Sequence, residues 1–150
     1  MLRLYLAEQQ AAGDPVLLTT RSVDGFRALA SSYLTGSLFG IVVLAETPKG
    51  PAGFVLVGEQ PGQPMLDTTL GRVANVWIAW TPQDRRKGGV ALAMLSFGRP
   101  YLVEMGFKTA SMSVRADNER GRRLSESFGA VLAEHFYTFP LAEQPAHLKR

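Results

Sequence analysis

Residues 84–95 read DRRKGGVALAML. Three cations run into two glycines, and a run of apolar helix formers follows. The stretch behind it, RVANVWIAW at 72–80, is rich in β-branched and aromatic residues, and Pro82 closes it. The local pattern is therefore strand, turn, helix. A helix start carries unpaired N–H groups and partial positive charge, so it ordinarily favours acidic neighbours. Arg85, Arg86 and Lys87 beside Gly88 and Gly89 run against that preference and point to an anionic ligand at this corner. Glycines let a ligand approach the backbone closely, and the helix amides can cradle phosphate with help from the cations. The spacing is neither G-x-x-x-x-G-K-[ST] nor G-x-G-x-x-G, so nucleotide-triphosphate and dinucleotide loops have little support.

Outward from this stretch the chain alternates elements. Residues 1–13 read as a short extra amphipathic helix, 15–21 as a strand, and 22–36 as a helix capped by Ser22 and stopped by Gly36. In that helix Phe26, Leu29, Ala30, Tyr33 and Leu34 share a face. Residues 40–46 and 52–59 form a hairpin about the turn TPKGP. Helical spacing resumes at Gly89 and ends at Gly106, with a kink or break expected at Pro100. Residues 108–116 alternate like a strand, 117–129 form a helix capped by Asp117 or Asn118, and 130–141 form a last strand. The tail at 142–150 is expected to be loose. The order β-α-β-β-β-α-β-α-β, after the leading helix, makes one α/β domain over 1–150 with helices packed on a sheet.

Composition narrows the function classes. The chain has 150 residues, 46% hydrophobic and 19% charged, with a net charge of +3. That is ordinary globular chemistry, and nucleic acid is an unlikely partner by charge alone. No apolar run reaches the roughly 18 residues of a membrane span, and the start lacks the form of a signal peptide, so no membrane partner and a cytoplasmic location are expected. There is no cysteine, which removes a thiol nucleophile and thiolate metal ligands. The second basic cluster, RGRR at 120–123, reads equally well as a solvated face.

The stretch RKGGVA at 86–91 resembles the R/Q-x-x-G-x-G/A signature of the GNAT superfamily of acyl-CoA N-acyltransferases, with Arg86, Gly89 and Ala91 at its fixed positions. NERGRRLSESFGA, from Asn118 to Ala130, is similar to that family's second signature through Asn118, Leu124, Phe128 and Gly129. The resemblance carries its motifs over 72–130 and extends from 15 onward. It implies a GNAT fold: a mixed, largely antiparallel central sheet flanked by helices, with a splayed strand pair holding acetyl-CoA. Acetyl-CoA would be the cosubstrate, and no metal is implied. Its pyrophosphate would lie on the amides of Lys87, Gly88, Gly89, Val90 and Ala91, within reach of Arg85, Arg86 and Asn118. The pantetheine would run between the strands at 72–80 and 108–116. A backbone N–H near Ile78, Ala79 or Trp80 would polarise the thioester carbonyl. An amine would attack directly, which suits a chain without cysteine.

The proton-transfer groups depart from the family pattern. Where the family often carries a tyrosine as the acid for the leaving thiolate, this chain has Ser125. Tyr137 and Tyr33 are substitutes of equal standing, each of which also reads as a core-edge residue. For the base, His135 has a suitable intrinsic pKa, and Glu46, Glu59 and Glu134 sit on or at the ends of strands. Asn75 has two readings, a holder of a relaying water or a solvent-facing amide. The chain is short for the family in the regions that shape the acceptor pocket. The acceptor is expected to be a small-molecule amine or a peptide or protein amine: either the pocket is open, suiting a protein or peptide terminus, or a second subunit of a homodimer completes it. The alternative to an enzyme is a non-catalytic acyl-CoA-binding or regulatory module of the same fold.

Overall fold

The computed structural model describes residues 1–11, 23–59, 72–115 and 117–132. Two helices, α1 (Leu2–Ala11) and α2 (Val23–Leu34), precede the hairpin of β1 (Gly40–Thr47) and β2 (Gly50–Gly58). Then come β3 (Arg72–Trp80), a 3₁₀ turn at Gln83–Gly88, α3 (Val90–Glu104), β4 (Phe107–Met112) and α4 (Glu119–Ser127). The strands expected at 15–21 and over most of 130–141 lie outside the described residues, as do Ser22, Glu134, His135, Tyr137 and the tail.

The sheet order is β1-β2-β3-β4, antiparallel at the first two junctions and parallel at the third. The two-residue turn between β1 and β2 makes that pair antiparallel, and the crossover through α3 makes the β3–β4 pair parallel. Alternation along β2 sends Phe54 and Leu56 to one face and Val55 and Val57 to the other. Each face has its own core. Tyr5, Phe26, Tyr33, Ile78 and Trp80 join Phe54 and Leu56 beneath α1 and α2. Val43, Ala74, Met94 and Phe107 join Val55 and Val57 beneath α3. β2 is therefore buried on both sides, with Val55 and Val57 at most 1% exposed. Tyr5 meets Phe26, Phe54 and Trp80 edge-on at centroid distances of 6.1–6.4 Å, the geometry that aromatic quadrupoles favour.

Several elements differ from the sequence expectation. α3 runs unbroken through Pro100. Proline removes one helical hydrogen bond, but both Pro100 and Ser96 are exposed, so water can take the released Ser96 carbonyl while Met94 and Gly98 hold the helix to the sheet. Leu34 does not share the buried face of α2 and is 76% exposed. β4 stops at Met112, short of the expected 116. Asn118, not Asp117, caps α4: its side chain accepts from the Gly121 N–H at 3.0 Å. Asp117 instead pairs with Arg115 at 2.8 Å, which holds its carboxyl below the usual range.

Tyr33 fixes the end of the hairpin. Gly40 and Gly58 are register partners, and a Cβ on either would strike the Tyr33 ring, at 2.6 Å from Gly40 and 2.7 Å from Gly58. The two glycines are the space into which the ring fits. Its hydroxyl donates to the Glu59 carbonyl at 2.7 Å and accepts from the Trp77 indole N–H at 2.9 Å. Close by, Arg72 stacks over Phe39 at 4.2 Å and pairs with the Glu59 carboxylate at 3.3 Å.

Two outcomes are expected. Gly58→Ala places a Cβ 2.6 Å from Gly40 Cα and from the Phe39 carbonyl, and will lose about 1–3 kcal/mol in urea unfolding; an unchanged midpoint contradicts this packing. Burial is the largest influence on the Tyr33 phenol and pushes it up, the Trp77 hydrogen bond opposes this, and the Glu59 charge adds to the rise. The protonated form is thus favoured by folding. Its contribution is complete below the ordinary tyrosine value of about 10 and is lost as pH climbs through the raised value. Stability will fall above about pH 10, and Tyr33→Phe will flatten that fall; equal slopes in both proteins contradict it.

Candidate functional site

The site is built where β3 loses a neighbour. β4 pairs with β3 from Arg72↔Phe107 to Val76↔Met112 and then ends. β3 continues through Trp77, Ile78, Ala79 and Trp80, paired only with β2 among the described residues. At the same place the β2–β3 register shifts: Val57 faces Val76, Leu56 faces Ile78, and Trp77 is the extra residue. This is a β-bulge, which locally re-aims the strand. It puts two consecutive side chains, Trp77 and Ile78, against the same core beneath α1 and α2. Backbone N–H and C=O groups on the β4 side of this segment thus lie along an open strand edge.

The strand then leads through the 3₁₀ turn to α3. Gly89 has φ 68° and ψ 14°, the left-handed conformation, and forms the junction. Only glycine takes that region without strain, apart from asparagine or aspartate at small cost. A Cβ there would meet nothing within 4 Å. No side chain caps α3; its first intrahelical bond is from Ala93 N–H to the Gly89 carbonyl at 2.9 Å. The amides of Val90, Ala91 and Leu92 therefore have no intrahelical acceptor. An uncapped start on a helix of 15 residues, reached over open space, fits a phosphate group.

The cations lie where the strand–turn–helix reading puts them, in the 3₁₀ turn ahead of the α-helix, but the side chains of two have protein partners. Arg85 donates to Thr47 Oγ1 at 2.8 Å and to the Gly50 carbonyl at 3.3 Å, tying the turn to the β1–β2 hairpin. Arg86 donates to the Thr81 carbonyl at 3.1 Å and pairs with the Glu8 carboxylate of α1. Glu8 also accepts from the Trp80 indole N–H at 3.0 Å. The contact between α1 and the motif arginine was not legible in sequence, since the two residues are far apart in the chain. The side chain of Lys87 is outside the described atoms; Gly88 completes the turn.

The remaining candidates separate. Asn75 lies on the paired half of β3, opposite Ser111, whose hydroxyl donates to Asn75 Oδ1 at 3.2 Å. Ser125 is half-buried in α4, and its hydroxyl donates to the Gly121 carbonyl at 2.9 Å. Asn118 spends its side-chain oxygen on capping the same helix. Trp80 is a core residue, 5% exposed. Tyr33 is buried and bonded on both sides of its hydroxyl. Arg122 and Arg123 pair with Glu119 along the exposed face of α4, and those bonds hold the Glu119 carboxyl below its usual range. An open cleft of about 490 Å³ lies between α1 and the turn, walled by Leu4, Ala7, Glu8, Trp80, Pro82 and Asp84. Among the described residues no three His, Asp or Glu side chains gather as a metal site would need, and no helix is long and apolar enough to cross a membrane.

Comparison with known proteins places this geometry. No family model matches the chain. A mycothiol acetyltransferase from Acidimicrobium ferrooxidans is 32% identical over 93 residues, which cover 55% of this chain and 29% of that protein. The chain thus aligns with less than a third of that relative's length. AAC(6')-Iy, solved in complex with a bisubstrate analogue of CoA and acetylneamine, superposes with a TM-score of 0.65 at 12% identity, covering 93% of this chain and 90% of that one. A ribosomal-protein-alanine N-acetyltransferase from Brucella melitensis biovar Abortus superposes with a TM-score of 0.53 at 21% identity, covering 67% and 68%. With a mixed sheet, four-stranded among the described residues, flanked by helices, the chain has the fold of the GNAT acetyltransferases, the superfamily its two signature stretches resemble.

Proposed function

We propose that the protein transfers an acetyl group from acetyl-CoA to an amine by direct attack in a ternary complex. The observation that carries this reading is one corner of the sheet. There the edge of β3 at Trp77–Trp80, open on the β4 side, leads into the uncapped start of α3 at Gly89. An acyl-CoA presents a pyrophosphate, an amide-bearing arm and a thioester carbonyl, and that corner offers a partner for each. The amides of Gly89–Leu92 would receive the pyrophosphate. The open edge of β3 would pair with the pantetheine amides. A β3 N–H between Ile78 and Trp80 would hold the thioester oxygen as it gains negative charge, an interaction worth about 10²–10³ in rate for a single donor.

In this mechanism the amine first loses its ammonium proton. Its lone pair then attacks the carbonyl carbon, the C–N bond forms, and collapse of the tetrahedral adduct breaks the C–S bond. The nitrogen gives up its second proton, the amide and the CoA thiolate leave, and the thiolate takes a proton. Asn75 with Ser111 would orient a water on the base side, and His135 and Tyr137 are the proposed base and acid from the chain beyond the described residues. Ser125 is a poor donor to a thiolate, because its hydroxyl is already spent on the Gly121 carbonyl. That bond is also what favours a second reading, an acyl-CoA-binding module without turnover.

Thermal melts with CoA, followed by incubation with acetyl-CoA and a panel of amines while free thiol is measured, separate the readings. CoA at 100 times its dissociation constant will raise stability by about 2.7 kcal/mol. Gly89→Asp will abolish this gain without loss of fold, since aspartate tolerates the left-handed region and its carboxylate can itself cap the Val90–Leu92 amides. Thiol release dependent on amine supports the enzyme, and binding without release supports the module. A melt that millimolar CoA leaves unmoved contradicts both.

A further inference from the structure

The bulge on β3 sits at a mechanically weak point. Trp77 has no opposite residue on β2, and on its other side β4 has ended one residue earlier, at the Val76↔Met112 pair. The ladder is interrupted at this residue, and Ile78–Trp80 beyond it are paired, among the described residues, with β2 alone. Yet this is the segment whose N–H groups, on the acyl-CoA reading above, must meet a thioester carbonyl within tenths of an ångström and a few degrees.

What replaces the missing pairing is a side-chain tether. The Trp77 indole N–H donates to the Tyr33 hydroxyl at 2.9 Å, and that hydroxyl donates onward to the Glu59 carbonyl at 2.7 Å. Tyr33 is itself tightly packed. It is 6% exposed, and its ring is set against the two facing glycines, Gly40 and Gly58, where any side chain would displace it. The tether therefore runs from the bulge to the closely packed Gly40–Gly58 end of the hairpin. Three observations meet in it: a bulge at the point where pairing ends, a glycine pair that clears room for one ring, and a hydroxyl with both its donor and acceptor roles in use. Burial keeps the phenol protonated, as its donation to Glu59 requires.

We propose that Trp77 and Tyr33 are positioning residues: the indole of Trp77, anchored on the Tyr33 hydroxyl, fixes the direction of the β3 amides that polarise the thioester carbonyl. Neither residue touches the reacting atoms. Both act through the backbone at Trp77–Ile78, and this assignment rests on the acyl-CoA reading of the same corner.

Isotope-edited infrared spectroscopy of acetyl-CoA labelled with ¹³C at the thioester carbonyl reads the tether without any knowledge of the acceptor. Bound to the natural protein, the carbonyl stretch will shift to lower frequency than in water. Tyr33→Phe and Trp77→Phe will each lose most of that shift, while acetyl-CoA affinity stays within about threefold, and the double variant will lose no more than either single one, as members of one chain of bonds must. Should Trp77→Phe fail to fold, Tyr33→Phe, which removes a single oxygen, carries the test. A full shift in the variants, or a shift lost only together with affinity or fold, overturns the proposal. If the natural protein binds acetyl-CoA with no shift, the positioning role falls and the cofactor site stands. If it does not bind acetyl-CoA, both fall.

Discussion

Among the described residues, β3 is paired on both sides over its first half and only by β2 over its second half. The rest of the structure is arranged around that asymmetry. β2 must then be a strong neighbour, and it is the most deeply buried strand, packed on both faces. The parallel partner β4 must come from a crossover, which forces α3 to begin just beyond the open edge and so brings an uncapped helix start to the same corner. The bulge at Trp77 interrupts the ladder there, and the bond from Trp77 to Tyr33 braces the half-paired segment. An open strand edge is ordinarily a hazard for aggregation; here it is short and bounded by a bulge.

The cations at 85–87 have a structural explanation that the local sequence hides. An arginine presents several donors in a fixed fork. Arg85 uses its fork to bind the 3₁₀ turn to the hairpin through Thr47 and Gly50, and Arg86 uses its own to bind the turn to α1 through Glu8. The turn that precedes α3 is thereby braced from two sides. The helix amides, not the guanidiniums, are what this corner leaves open to an anion. Charge on the turn still adds to the local potential, because the pairs are partly exposed and only partly cancel it.

Much of this was legible in the residues. β3 matched its expected bounds, since alternating β-branched and aromatic residues ending at a proline admit few other readings. The hairpin, the three longer helices and the glycine junction followed from periodicity and turn chemistry. The bulge was not legible: RVANVWIAW carries no glycine to mark it, and it arises from the register against β2. Nor was the Tyr33–Trp77 bond, or the Glu8 pairing, because both join residues distant in sequence whose meeting depends on the finished fold. Pro100 misled, as local propensity yielded to the packing of Met94 and Gly98 on the sheet. Ser125, singled out by position in a motif, proved to be bonded within its own helix. Tyr137 and His135 fall beyond the described residues.

The central claim is that one corner, the free edge of β3 and the start of α3, receives an acyl-CoA. Amide chemical shifts of ¹⁵N-labelled protein, recorded with and without CoA, test it most directly. The account predicts the largest changes at Gly88–Leu92 and Trp77–Trp80, with β1 and the far end of α3 near Glu104 unmoved. Saturable shifts centred on the α4 arginines instead, with Gly89 and Ile78 unchanged, would contradict it.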